Sequence, residues 1–278
     1  MILCDTAKCI IVNTVYHIQC LVVNKVHHIP YTIYNSGYGI LYTPTMICPI
    51  LIKFSSFTEN IIKVLWPALD QNSIDSMLLQ LKRCPDNQID LQGHSVTFQQ
   101  LLQYMDPSTW LDDLILNQYC SLLKPTVSDS SIWLCSSFEY CTLEKVNQSK
   151  KFDSFIEKVC SFHSCLMPIC TCQHWCVAHF FPHSREVRVY DSLYSANRNL
   201  EKSFHRFWGY VKDHKGWRSN LHITYPDVCK QTDGYSCGLF TLSFIKSIYA
   251  RLPLDDVNSE VSLIRHHLVA SVFYNKIV

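Results

Sequence analysis

Gln231-Thr232-Asp233-Gly234-Tyr235-Ser236-Cys237-Gly238 delivers a cysteine to the start of a helix. Downstream, Leu242, Ile245, Ile248, Tyr249 and Leu252 recur at helical spacing until Pro253 stops the run, so Cys237 falls where that helix begins. A helix N-terminus favours a negative sulfur, and a thiol is a useful nucleophile only as the thiolate. A thiolate in turn needs an imidazole to take its proton and a third group to orient that imidazole. Both residue types lie upstream, in His174-Trp175 and in Val189-Tyr190-Asp191.

Working outward, His174 to Phe181 and Ser184 to Asp191 are β-prone segments separated by Pro182-His183. A type I turn with Pro182 in its second position joins them as an antiparallel hairpin. Pairing Phe181 with Ser184 sets Ala178 opposite Val187, Cys176 opposite Val189 and His174 opposite Asp191, all on one face. The roles follow: Cys237 attacks a carbonyl, His174 takes and returns the proton, and Asp191 fixes the imidazole tautomer. Gln231, six positions ahead of Cys237, can donate its amide to the developing oxyanion together with the Cys237 backbone N–H. Gly234 and Gly238, two of only seven glycines, are expected to let the loop turn tightly and approach the substrate backbone.

Further upstream, Thr97 with Gln100 offers a capping box, and Asp106-Pro107 offers an N-cap followed by Pro at the first helical position, so helices are expected to start at both. The second carries Trp110, Leu111, Leu114, Ile115 and Leu122. Ser131 to Phe138 reads as a strand and Phe152 to Cys160 as a helix. Residues 1 to about 62 read as short β-prone runs, and 63 to 84 as helices broken at Pro67. A boundary near 88 therefore divides an N-terminal extension, 1–88, to which the sequence assigns no role, from a catalytic domain, 89–278.

The chain has 278 residues and is 48% hydrophobic, enough to bury a substantial core. Its net charge of +1 and the lack of a dense Lys/Arg run remove the electrostatic footprint of a nucleic-acid or membrane-surface binder. Its fifteen cysteines are odd in number and scattered, with no secretory signal before them, which fits a reducing interior, nucleus or cytoplasm. Asp5, Lys8, Lys25, Pro30 and Pro44 interrupt the apolar first fifty residues, leaving no run of about 18 residues that would span a membrane.

Two rival chemistries are weaker. Cys165, Cys170, Cys172, His174, Cys176, His179 and His183 crowd together as a zinc module would, yet the chain has no Cys-x-x-Cys pair and strand alternation splits these residues between two faces. Gly234-Tyr235-Ser236-Cys237-Gly238 fits the Gly-x-Ser-x-Gly elbow of serine hydrolases, but the tail beyond it is too short for the rest of that fold.

From about residue 88 onward the chain resembles the ubiquitin-like-protein-specific cysteine proteases, the SUMO (sentrin) protease group. The resemblance rests on Trp110-Leu111-Asp112-Asp113, Ser136-Ser137-Phe138, His174-Trp175, Val189-Tyr190-Asp191-Ser192-Leu193 and Gln231 through Gly238, in that order. It implies an α/β (α+β), papain-like fold with a mixed central sheet flanked by helices, a His174, Asp191 and Cys237 triad, and an oxyanion role for Gln231. It also implies that Trp110 and Trp175 wall a tunnel only a Gly-Gly tail can pass, and that Asp113 pairs with a basic residue of the modifier. The chain departs from the family at Asp112, where Asn is common, and at Ser236, where many relatives have Asp. The helix holding Arg265-His266-His267-Leu268 resembles the family's closing helix, which implies a complete domain.

The expected activity is hydrolysis after the C-terminal Gly-Gly of SUMO or another ubiquitin-like protein, or of its conjugates, through a thioester on Cys237. No cofactor, metal, nucleic acid or membrane is called for, and a monomer is expected. Polyprotein processing for a virus or mobile element, acyl transfer through the same thioester, and a catalytically silent modifier-binding module share the fold and stay open at this point.

Overall fold

A computed structural model describes residues 8–12, 17–22, 25–26, 65–91, 94–126, 131–144, 150–194, 196–254 and 257–278. They fall into two compact units, within Met1–Leu51 and Ile52–Val278. The first holds β1 (Lys8–Val12), β2 (His17–Val22) and β3 (Lys25–Val26), an antiparallel sheet in that order. The β-prone runs expected beyond Val26 lie outside the described residues.

The second unit is built on a five-stranded sheet in the order β10-β9-β8-β7-β6. These are β6 (Ile132–Leu134), β7 (Ser164–Thr171), β8 (His174–Phe181), β9 (Glu186–Tyr190) and β10 (His222–Thr224). The central strands pair antiparallel, whereas β6 on β7 and β10 on β9 are parallel, so the sheet is mixed. A small hairpin of β4 (Gln88–Leu91) and β5 (His94–Thr97) stands apart from it. Strand β8 reads His-Trp-Cys-Val-Ala-His-Phe-Phe and is buried along almost its whole length, as a strand covered on both faces must be. Pro168 sits in β7, opposite Val177, beyond the last residue that β6 pairs, so its missing N–H interrupts no ladder.

Each face buries its own core. One packs Leu166, Trp175, Val177 and Tyr190 under α7 (Cys237–Tyr249) and α8 (Val261–Phe273), with α1 (Gln71–Arg83), α2 (Phe98–Met105) and α3 (Asp113–Leu123). The other packs Cys176, Ala178, Phe180, Val187 and Val189 under α4 (Phe138–Glu144), α5 (Lys150–Ser161) and α6 (Arg198–Lys215). Helix α6 shows why these segments are helical. Asn197 accepts from the Asn199 and Leu200 N–H groups, Leu200, Phe204, Phe207, Trp208 and Val211 form the buried stripe, and Gly216 ends the helix at φ 68°. Strand alternation, not helical spacing, is what sends Trp175 to one core and Cys176 to the other.

Three local expectations change. The β8–β9 turn is Pro182 to Arg185, with the Arg185 N–H on the Pro182 carbonyl at 3.2 Å and Arg185 at φ 59°. Phe181 therefore pairs with Glu186 and Ala178 with Val189, a register two residues longer than Phe181 with Ser184. A two-residue shift keeps every side chain on its face, so His174 and Asp191 still share one, diagonally and not directly opposite. At Asp106-Pro107 no helix starts. Asp106 ends α2, its carboxylate accepts from the Ser108 N–H and hydroxyl, and the Tyr104, Pro107 and Thr109 carbonyls turn to the Arg265 guanidinium at 2.9–3.0 Å. Asp112 caps α3 instead, through the Ile115 N–H. Finally, the strand at 132 stops at Leu134 because the chain turns at Ser136 into α4, the Ser136 N–H donating to the Glu139 carboxylate at 3.0 Å and the Glu139 N–H to the Ser136 carbonyl at 3.2 Å.

Candidate active site

Three elements converge at one end of the sheet. His174 is the first residue of β8, Asp191 follows the last residue of β9, and Cys237 opens α7, which packs across β8. His174 is 6%, Asp191 2% and Cys237 4% exposed, so the group is largely withdrawn from water. His174 Nε2 lies 2.8 Å from Asp191 Oδ1, and the imidazole's other partner is the Cys237 side chain. Burial pulls the imidazole toward neutrality, but the hydrogen bonds and charges of Asp191 and Cys237 outweigh it and hold His174 at about 9.

Asp191 is prepared for this. Burial opposes its charge, yet His174 and the Tyr194 and Leu193 N–H groups, 2.9 and 2.8 Å from Oδ1, hold the carboxyl below its ordinary value. Lys230 Nζ donates to the Asp191 carbonyl at 2.8 Å and to that of Tyr194 at 3.3 Å. The carboxylate is thereby fixed in both charge and position.

The loop before Cys237 is organised by Asp233. Its carboxylate accepts from the Tyr235 and Ser236 N–H groups at 2.9 and 2.7 Å and from the Ser236 hydroxyl at 2.7 Å. Ser236 is wholly buried and its hydroxyl is committed to Asp233, which leaves it no role as a nucleophile. Gln231 is buried in the same loop: its Oε1 accepts from the Ser192 hydroxyl at 2.6 Å and its Nε2 donates to the Asp233 carbonyl at 2.8 Å. One amide N–H is engaged there and the amide has two. The Cys237 N–H, in the first turn of α7, has no intrahelical acceptor.

The two glycines behave differently from expectation. A Cβ on Gly234 would meet no atom within 4 Å, whereas one on Gly238 would lie 2.9 Å from the Leu111 Cβ. Gly238 thus admits Leu111, not a substrate backbone. Leu111 also accepts the Trp175 indole N–H on its carbonyl at 2.8 Å.

Beside the triad lies a cleft of about 270 Å³ lined by Trp110, Leu111, Asp112, Asp113, Cys170, Gln173 and Trp175. Trp175 is buried and Trp110 is 48% exposed, so one indole forms the floor and the other a wall open to solvent. Asp113 accepts the Ser137 hydroxyl at 2.6 Å, and Ser137 is further fixed by Asn117. Asp112 both caps α3 and accepts the Tyr104 hydroxyl at 2.6 Å, which a neutral Asn amide would do more weakly. The cleft's other rim is the β7–β8 turn, where Cys172 and Gln173 have φ of 51° and 62°, the two positive values of a type I′ turn.

The seven residues singled out in the sequence are therefore distributed as follows. His174, Asp191 and Cys237 meet, Trp110, Asp113 and Trp175 line the adjoining cleft, and Gln231 is held in the loop before Cys237. The sequence did not single out Lys230, and it named Leu111, Ser137, Asp233 and Arg265 without showing what each holds in place. Asp233 alone left a local trace, an acid two and three residues ahead of the N–H groups it caps. The crowded thiols and imidazoles are dispersed: His179 bonds the Ser164 hydroxyl and His183 the Cys160 carbonyl. Among the described residues no three His, Cys, Asp or Glu side chains gather to hold a metal ion, and no helix is long and apolar enough to cross a membrane.

Known proteins resemble the chain in sequence and in fold. Residues 109–273 match the Ulp1 protease family, C-terminal catalytic domain. Sentrin-specific protease 3 of Mus musculus is 23% identical over 225 residues, covering 73% of this chain and 38% of that protein. The Homo sapiens protein of the same name is 23% identical over 224 residues, covering 72% and 37%. The chain thus spans under two fifths of the length of these relatives. Among solved structures, the C-terminal Ulp1 protease domain in complex with Smt3, the yeast ortholog of SUMO, superposes with a TM-score of 0.61 at 17% identity, covering 76% of this chain and 98% of that one. The Chaetomium thermophilum Ulp1-like SUMO protease catalytic domain gives 0.62 at 15% identity, covering 77% and 93%.

Proposed function

The chain belongs to the Ulp1 protease family, and from that premise we propose that it is a cysteine protease cleaving the peptide or isopeptide bond after the C-terminal Gly-Gly of SUMO or another ubiquitin-like protein. The observation that carries the reading is His174, held 2.8 Å from Asp191 and against Cys237 at a helix N-terminus. In this reading the Cys237 thiolate adds to the carbonyl of the last glycine, and the oxyanion is met by the Cys237 N–H and the Gln231 amide. His174, as imidazolium, gives its proton to the leaving amine, which departs as the carbon–nitrogen bond breaks and leaves a thioester. His174, now neutral, takes a proton from water, whose hydroxide adds to the thioester; the carbon–sulfur bond breaks, releasing the thiolate and the modifier's carboxylic acid, which loses its proton to solvent. Asp191 keeps the imidazole oriented through both steps.

The tail occupies the cleft between Trp110 and Trp175, where side chains larger than hydrogen would meet indole. Asp113, with one oxygen on Ser137, offers its other oxygen to a basic residue of the modifier. Support for a modifier as substrate comes from relatives: Ulp1 is solved with Smt3 and two relatives are named sentrin-specific. A protein with fifteen cysteines in no paired pattern belongs in a reducing compartment, nucleus or cytoplasm. The test is turnover of SUMO fused through Gly-Gly to a reporter, against the same fusion with Ala in place of each Gly. Release from the first alone supports the reading, and equal release, or none from a folded protein, refutes it.

A further inference from the structure

One contact to the triad has no part in the chemistry above. The ring of Tyr194 stands edge-on to His174, centroids 5.1 Å apart at 80°. Tyr194 is nevertheless 50% exposed and its neighbour Leu193 43% exposed, so together they form an apolar step beside the imidazole. The step is rigid. Both N–H groups of the pair are tied to Asp191 Oδ1, and Lys230 Nζ clamps the carbonyls of Asp191 and Tyr194.

Its side of the imidazole is the informative point. The sheet order β9-β8-β7 puts the 191–194 segment on one side of His174, while Cys170 on β7 and the cleft lie on the other. With the Gly-Gly tail in the cleft and its carbonyl at Cys237, the group that leaves must depart along the remaining flank of His174, because that imidazole protonates it. An isopeptide leaves a lysine ε-amine carried on four methylenes. A flexible apolar stem reaching past His174 meets the Leu193–Tyr194 step, and covering it removes apolar surface from water on both partners.

We propose that Leu193 and Tyr194 form a leaving-group subsite that packs the methylene stem of the modified lysine. This inference rests on the proposed protease reading and adds to it a preference for isopeptide substrates. Tyr194 thus contacts substrate in addition to flanking His174.

The test uses the full chain with two substrates sharing one SUMO tail: a lysine isopeptide conjugate and a SUMO C-terminal methyl ester, whose leaving group has no stem. Tyr194→Ala should lower kcat/KM for the isopeptide by about tenfold, the scale of uncovering two methylenes, and change the ester by less than about twofold. Tyr194→Phe, which keeps the ring, should restore isopeptide cleavage. Equal losses on both substrates would make Tyr194 only a brace for His174 and overturn the subsite, as would no loss on either. A SUMO electrophile that labels Cys237 in Tyr194→Ala at the wild-type rate separates these outcomes from failure of the protease reading, in which the wild type itself is not labelled.

Discussion

At the scale of single residues, the site is a contest between burial and charge that His174 wins in the protonated direction. Its value of about 9 lies above the ordinary 6.5 despite burial, because Asp191 and Cys237 favour the imidazolium. The proton required by the leaving amine is therefore present below about pH 9 and lost above it. The kcat/KM profile should fall on an alkaline limb near that pH, and Asp191→Asn should move the limb to lower pH while cutting kcat by roughly 10³-fold or more. A limb unmoved by that substitution would mean Asp191 does not act on His174. Cys237→Ser should abolish turnover with thermal stability retained, since the hydroxyl fills the thiol's space; retained turnover would remove the nucleophile. The meeting of His174, Asp191 and Cys237 was legible because the chemistry demands particular residue types, and strand alternation with helix spacing limits where they can meet. Arg265 and Ser137 were not, because each acts on a residue distant in sequence through a carbonyl or carboxylate that leaves no local pattern.

At the scale of elements, the cleft depends on how α7 meets the segment before α3. Leu111 joins them, its side chain on Gly238 and its carbonyl on Trp175. Gly238→Ala places a Cβ 2.9 Å from the Leu111 Cβ, an overlap neither backbone can escape cheaply, and should cost about 1–3 kcal/mol in urea unfolding. It should also slow cleavage of Gly-Gly substrates more than it slows labelling of Cys237 by a small alkylating agent. Equal effects would show that Leu111 does not shape the cleft. Arg265→Met removes the three hydrogen bonds that draw the Tyr104, Pro107 and Thr109 carbonyls together. A loss of about 2–4 kcal/mol is expected in the same assay. The sequence pattern foresaw α2, α3, α5, α7 and the hairpin because their apolar stripes and caps are local. It misplaced the start of α3 because Asp106 and Asp112 are both competent caps, and the choice is made by Arg265 from the far end of the chain.

At the scale of the whole catalytic unit, the core that carries Cys237 is also filled from the N-terminal side. Trp66, Met77 and Leu81 are fully buried in it, with Trp66 stacked on Tyr119 at 5.8 Å and Lys246 Nζ 3.9 Å over its ring. The spacing of Met77, Leu78 and Leu81 announces a helix in 63–84, but periodicity cannot say what covers it. Trp66→Ala should cost roughly 3–5 kcal/mol in the full chain, yet leave the rate of Cys237 labelling unchanged below the melting transition. A stability within about 0.5 kcal/mol of wild type would contradict this packing.

The most direct measurement is to treat the protein with SUMO and ubiquitin bearing C-terminal electrophiles and locate the adduct by mass spectrometry. A single SUMO adduct on Cys237 is expected, absent from Cys237→Ser and slowed in His174→Ala. A folded protein that forms no adduct, or forms one on Cys170 or another thiol with Cys237 unmodified, would contradict it.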